Sequence, residues 1–191
     1  MKFSKKLIVY LSVIFIFCIG NSTNTFLLLK AQERGFSTSQ VILLYLAYNV
    51  TASALAIPAG KFSDRLGRSK VLVPGYLIYG IVYIGFALLV SQAAIVVLFV
   101  AHGAYHAFVS GAERAFIVEN SPAGTTGTVL GLYGMLQGFG LLLASIIAGS
   151  LWSLVGSNAP FLFGGIIGLV SAGMILLITK NQRIARFFVD S

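Results

Sequence analysis

Apolar residues in this chain run in long stretches and do not alternate with polar ones. Six stretches, near residues 7–29, 39–59, 71–90, 93–118, 126–154 and 160–179, reach the ~20 residues that an α-helix needs to cross a hydrocarbon core of ~30 Å. A membrane barrel would instead show short segments of period two. Lipid offers no hydrogen-bond partner, so backbone groups inside such a run must pair within the segment, as a helix allows. The pattern predicts an all-α, polytopic membrane protein with six transmembrane helices. No polar linker is long enough to divide the chain, so residues 1–191 read as one bundle.

Composition excludes the soluble alternative. Charged residues make up 9% of the chain, against roughly 25% in ordinary soluble domains. The 21 glycines are spread among the apolar runs, where they let neighbouring helices approach closely. The single cysteine, Cys18, lies in an apolar run and reads as a buried structural thiol. The basic start followed by apolar residues resembles a signal peptide. The run is too long for one and no small-residue cleavage site closes it, so it reads as a retained first helix.

A net charge of +8 invites a nucleic-acid reading, but the distribution of the bases argues against it. Lys2, Lys5 and Lys6 precede the first run. Lys61, Arg65, Arg68 and Lys70 lie between the second and third, and Lys180, Arg183 and Arg186 follow the sixth. With six crossings these regions share one side, and they hold ten of the thirteen bases. The other side has Lys30 and Arg34, and Arg114 lies near the inner end of the fourth run. The positive-inside rule places both termini in the cytoplasm, with the chain in the cell membrane.

The connection at 60–70 carries the most specific motif. It reads Gly60-Lys61-Phe62-Ser63-Asp64-Arg65-Leu66-Gly67-Arg68-Ser69-Lys70, a tight loop with glycine near each end. Asp64 is an acid among four bases, and the inside rule alone gives no reason for it. The string resembles the signature loop of the major facilitator superfamily, in the same connection of a six-helix half. Family members have twelve helices in two halves. Phe26 to Gln32, Ile57-Pro58-Ala59-Gly60 and Gly131 through Trp152 resemble a C-terminal half. The glycine-rich fifth helix lacks the Gly-Pro pair of many exporters, which leaves the direction of transport open.

The resemblance implies a cytoplasmic gate built on Gly60, Asp64, Arg65, Gly67 and Arg68, with Glu113, Arg114 and Glu119 as candidate partners. It also implies that the first, second, fourth and fifth helices line the substrate path. Polar residues inside the runs follow that division: Asn21 and Asn24, Tyr45 and Asn49, His102, Tyr105 and His106, Tyr133 and Gln137. His102 and His106, four apart, share a helix face, with Glu113 seven further on. They are candidates for a proton relay. Metal binding is disfavoured for want of a third ligand, and no cofactor is expected. The stripe of Gly127, Gly131, Gly134 and Gly138 reads as a close-packing face.

One half alone would expose its polar flank to lipid, so a second copy is the expected partner, with Asp64 approaching Thr125 and Thr126 of that copy. The function expected is secondary active transport of a small molecule by alternating access between two such halves. The alternative is a non-transporting membrane subunit, or one half of a longer transporter. No filter-like loop supports a channel, and no nucleophile elbow or phosphate loop supports an enzyme. A cysteine placed at Lys61 should react with an impermeant thiol reagent only after cells are opened. Reaction in intact cells would reverse the orientation.

Overall fold

The computed structural model describes residues 3–187, with side chains through Lys180; Lys2 and the side chains of Arg183 and Arg186 lie outside the described residues. Seven helices follow in order: α1 (Lys5–Gly20), α2 (Thr25–Glu33), α3 (Thr38–Leu66), α4 (Arg68–Leu88), α5 (Gln92–Asn120), α6 (Thr126–Leu154) and α7 (Ala159–Phe187). α1 and α2 together make one crossing, so six spans among the described residues are long and apolar enough to cross a membrane. Serines start several of them. Ser4 and Ser91 cap α1 and α5, and Ser37 forms a reciprocal capping box with Gln40 on α3. These side chains satisfy amide donors that the first turn of a helix leaves unpaired.

Two expectations change. The first span is not continuous, because the chain unwinds between Gly20 and Thr25. Asn21, Ser22, Thr23 and Asn24 compete with the helix for backbone groups. Thr23 Oγ1 accepts the Thr25 amide at 3.0 Å. The freed carbonyl of Gly20 accepts the Tyr79 hydroxyl at 2.9 Å. The connection at 60–70 is also mostly helical. α3 continues through Leu66, and the turn is the single residue Gly67, which ends α3 and precedes α4 at φ +91°. A side chain is strained there, whereas Gly60 is ordinary helix.

α4 packs most extensively on α7, and α3 on α5. Glycines make the α4–α7 approach possible. A Cβ added at Gly165 would stand 3.0 Å from the Gly80 carbonyl, and one at Gly168 would meet the Tyr79 ring. The core is strongly aromatic. Tyr76, Tyr79, Tyr83 and Phe86 of α4 are sealed inside, with Phe17 stacked on Tyr76 and Tyr10 on Phe116.

α3 and α6 are the least buried spans. The glycine stripe on α6 corrects another expectation. Gly127, Gly131, Gly134 and Gly138 meet nothing of this chain where a Cβ would stand. The close-packing glycine of α6 is Gly140, set against Cys18. All four glycines of the stripe are exposed on α6, and Gly138 borders a cavity with Cys18 and Asn21.

One end of the bundle carries the start of α1, the Gly67 turn and the end of α5. At the opposite end a fully buried lysine ties two elements together. Lys30 Nζ reaches Glu33 Oε2 at 3.0 Å, Ser157 Oγ at 2.8 Å and Asn158 Oδ1 at 2.6 Å. The clip joins α2 to the α6–α7 turn, beside the contact of Phe26 with Trp152. Glu33→Ala should lower the unfolding temperature in mild detergent more than Lys30→Met. The first takes the carboxylate from a buried ammonium and leaves it only the neutral acceptors Ser157 Oγ and Asn158 Oδ1; the second leaves a carboxylate already 40% exposed. Removing one partner of a fully buried pair costs ~3–5 kcal/mol, and the partial exposure of Glu33 puts its loss at or below the low end of that range. Equal losses, or the reverse order, would contradict this ranking.

Candidate functional site

Between α1, α5 and α6 lies a cleft made of two adjoining cavities, of about 260 and 80 Å³. They share Cys18, Asn21 and Gln137. The larger continues along Gly138 and Leu141 of α6, and the smaller reaches Tyr105, His106, Ser110 and Glu113 of α5. The unwound stretch after α1 delivers Asn21. The i, i+4 spacing puts His106 and Ser110 on one face of α5. Amides, hydroxyls, an imidazole and a carboxylate thus converge at membrane depth, where unsatisfied polar groups are costly.

Glu113 is the centre of this network. It is 4% exposed. Tyr76 of α4 donates to its Oε1 at 2.5 Å, and Tyr133 of α6 to its Oε2 at 2.7 Å. Gln137 Nε2 in turn donates to the Tyr133 oxygen at 2.6 Å. Hydrogen bonds to an ionised acceptor are about twice as strong as neutral ones.

The residues expected to line a path divide into three groups. Asn21, Tyr105, His106 and Gln137 meet at the cleft, with Tyr133 bound to Glu113 behind it. His102 and Asn24 form a second group, His102 buried and Asn24 half-buried, with His102 Nε2 3.4 Å from Asn24 Oδ1. Tyr48 stacks on the His102 ring at 5.3 Å, and Tyr79, Tyr83 and Tyr105 complete its surroundings. Both histidines pack on the Tyr48 ring, His106 at 5.9 Å, but His102 is buried and His106 exposed. Tyr45 and Asn49 lie on the exposed side of α3, where Asn49 donates to the Tyr45 carbonyl; neither lines the cleft.

The gate residues also separate. Arg68 joins the turn to the end of α5, with Nη2 3.3 Å from Asp64 Oδ1 and Nε 3.4 Å from Glu119 Oε2. Both acids are mostly exposed, so each pair is worth only ~0–1 kcal/mol and fixes geometry more than stability. Glu113 is not part of this cluster: its oxygens are taken by the two tyrosines. Arg114 and Arg65 are exposed and enter no ion pair among the described residues. Gly60 is exposed on α3.

Two contributors escaped the reading of the sequence. Tyr76 comes from a span with few evident polar groups, although Tyr76, Tyr79 and Tyr83 at helical spacing mark a polar-tipped face. Cys18 was read as purely structural, yet it lines both cavities.

Comparison with known proteins adds the identity of the fold. The family model of the Major Facilitator Superfamily matches residues 9–187. An uncharacterized MFS-type transporter of Methanocaldococcus jannaschii, MJ1317, is 34% identical over 91% of this chain and 45% of its own length. A second from the same organism, MJ1560, is 23% identical over 74% of this chain and 37% of its own. The magnetosome protein MamH of Paramagnetospirillum magneticum is 28% identical over 67% of this chain and 30% of its own. The chain thus spans under half the length of the relatives it matches. With six spans, a polar cleft and a match over nearly its whole length, the chain belongs to the Major Facilitator Superfamily, a family of transporters and not of enzymes, at the size of one half.

Proposed function

We propose that this protein is a secondary active transporter that moves a small molecule across the cell membrane by alternating access, as a pair of copies, with both termini in the cytoplasm. The observation that carries the reading is the polar cleft between α1, α5 and α6, bordered by α6, whose outer face nothing among the described residues covers. A second copy, related by an axis along the membrane normal, would close that side and place two clefts face to face at membrane depth. The glycine stripe of α6 would then admit a helix of the partner at close range.

Arg68, held by Asp64 and Glu119, would form the cytoplasmic gate of each copy. Asp64 would meet the start of α6 of the other copy, where amide donors and the helix dipole favour an acid. Coupling to protons belongs to the proposal, since His106 and Glu113 both line the cleft. The coverage of the relatives favours a second reading, in which this sequence is one half of a longer carrier.

Copies carrying Asp64→Cys, mixed with copies carrying Thr126→Cys, should form a disulfide-linked pair on mild oxidation. In proteoliposomes the linked pair should lose uptake of whatever solute the unlinked protein accumulates from a panel, and reduction should restore it. A lack of linked pairs, or equal uptake when locked, would count against a two-copy alternating-access carrier.

A further inference from the structure

α6 is one of the two least buried spans, and one bond ties it to the rest of the polar interior. Among the described residues, the only side-chain hydrogen bond from α6 to another helix runs from the Tyr133 hydroxyl to Glu113 Oε2, 2.7 Å away. Glu113 has no base at ion-pair distance among the described residues. Among the described residues, Arg114 enters no ion pair, and Lys6 of α1 sits over the Phe116 ring at 5.1 Å from its centroid. The other titratable groups around it are Tyr10 and Cys18 of α1, Tyr76 of α4, Tyr133 of α6, and Tyr105 and His106 of its own helix. The carboxyl group is thus held by neutral donors, and it lines a cavity that joins the cleft.

Protonation changes this arrangement in a defined way. The ionised group accepts from both tyrosines. A proton delivered by hydronium in the cleft, which leaves as water, forms an O–H bond on the carboxyl group and removes its charge. Both tyrosine bonds then lose their charge assistance and roughly half their strength. The Tyr133 bond is the one that holds α6, and the Tyr133 oxygen also accepts from Gln137 Nε2 at 2.6 Å. Water in the cleft competes for the weakened Tyr133 hydroxyl, which frees α6 to shift toward it.

We infer that Glu113 is the proton-binding group of this half, and that Tyr133 transmits its charge state to α6, which moves away from α1 when the proton binds. The inference rests on the transporter reading for its purpose, but its test measures no transport. A nitroxide label at Leu141→Cys, in a Cys18→Ala background, would sit on α6 at the edge of the cleft and off the glycine stripe, where the native side chain is exposed. In lipid nanodiscs its mobile fraction should rise about fivefold as the pH is lowered, the change that one hydrogen bond commands. Infrared difference spectra should show a carboxyl band that titrates over the same range.

Tyr133→Phe should keep that band but leave the label mobile at every pH. Glu113→Gln should remove the band and the pH response together. A pH-dependent label in Tyr133→Phe would overturn the transmission, and a titrating band that persists in Glu113→Gln would overturn the assignment. Should Glu113→Gln not fold, Tyr133→Phe decides alone, because it retains the carboxyl group. A parental protein with neither response refutes the inference outright and leaves the uptake and cross-linking results unaffected.

Discussion

Lipid gives a polar group nothing to bond with, and most of this structure follows from that one constraint. An unsatisfied group in hydrocarbon costs several kcal/mol, while a hydrogen bond between membrane helices contributes ~0.6 kcal/mol on average. The asymmetry means that internal bonds stabilise the bundle little but constrain its arrangement strongly. Tyr76 and Tyr133 hold Glu113 from two different helices. Tyr79 covers the carbonyl released where α1 ends. Lys30 draws three neighbouring residues around its ammonium at the opposite end. Each polar intrusion fixes which helices must be neighbours.

The same constraint marks which faces of the bundle the described residues leave uncovered. α4 and α7 come together through glycines and bury aromatic rings. α3 and α6 are the least buried spans, and α6 borders the polar cleft. Glycines packed on nothing, beside polar groups packed on little, suit a surface awaiting another helix. The family supplies the context: its members work as two halves, and this chain spans less than half of each relative reported above.

Hydropathy alone located the spans well, because burial in lipid is a sum over ~20 residues that tolerates local error. The fifth run, at 126–154, coincides with α6, and the fourth differs from α5 by a residue or two at each end. What the sum conceals is backbone competition. Five consecutive hydrogen-bonding side chains from Asn21 to Thr25 signalled a break, yet the apolar residues on either side kept the average high. The residues at 60–66 read as loop from their charge, but charge at a helix end is compatible with helix. The partners of Glu113 were out of reach for a different reason. They lie 37 and 20 positions away, and only packing decides which acid meets which hydroxyl. The resemblance places Glu113 among the gate partners because it puts acids at the end of the fourth helix, whereas the Glu113 oxygens are bound by Tyr76 and Tyr133.

The central claim is that the polar flank of one copy must be shielded by a second six-helix unit. Counting protein chains per particle by native mass spectrometry, after release from lipid nanodiscs, tests it directly. Two copies in each particle is the result expected of this fold. A single stable copy, retained across protein concentrations in lipid, would contradict it.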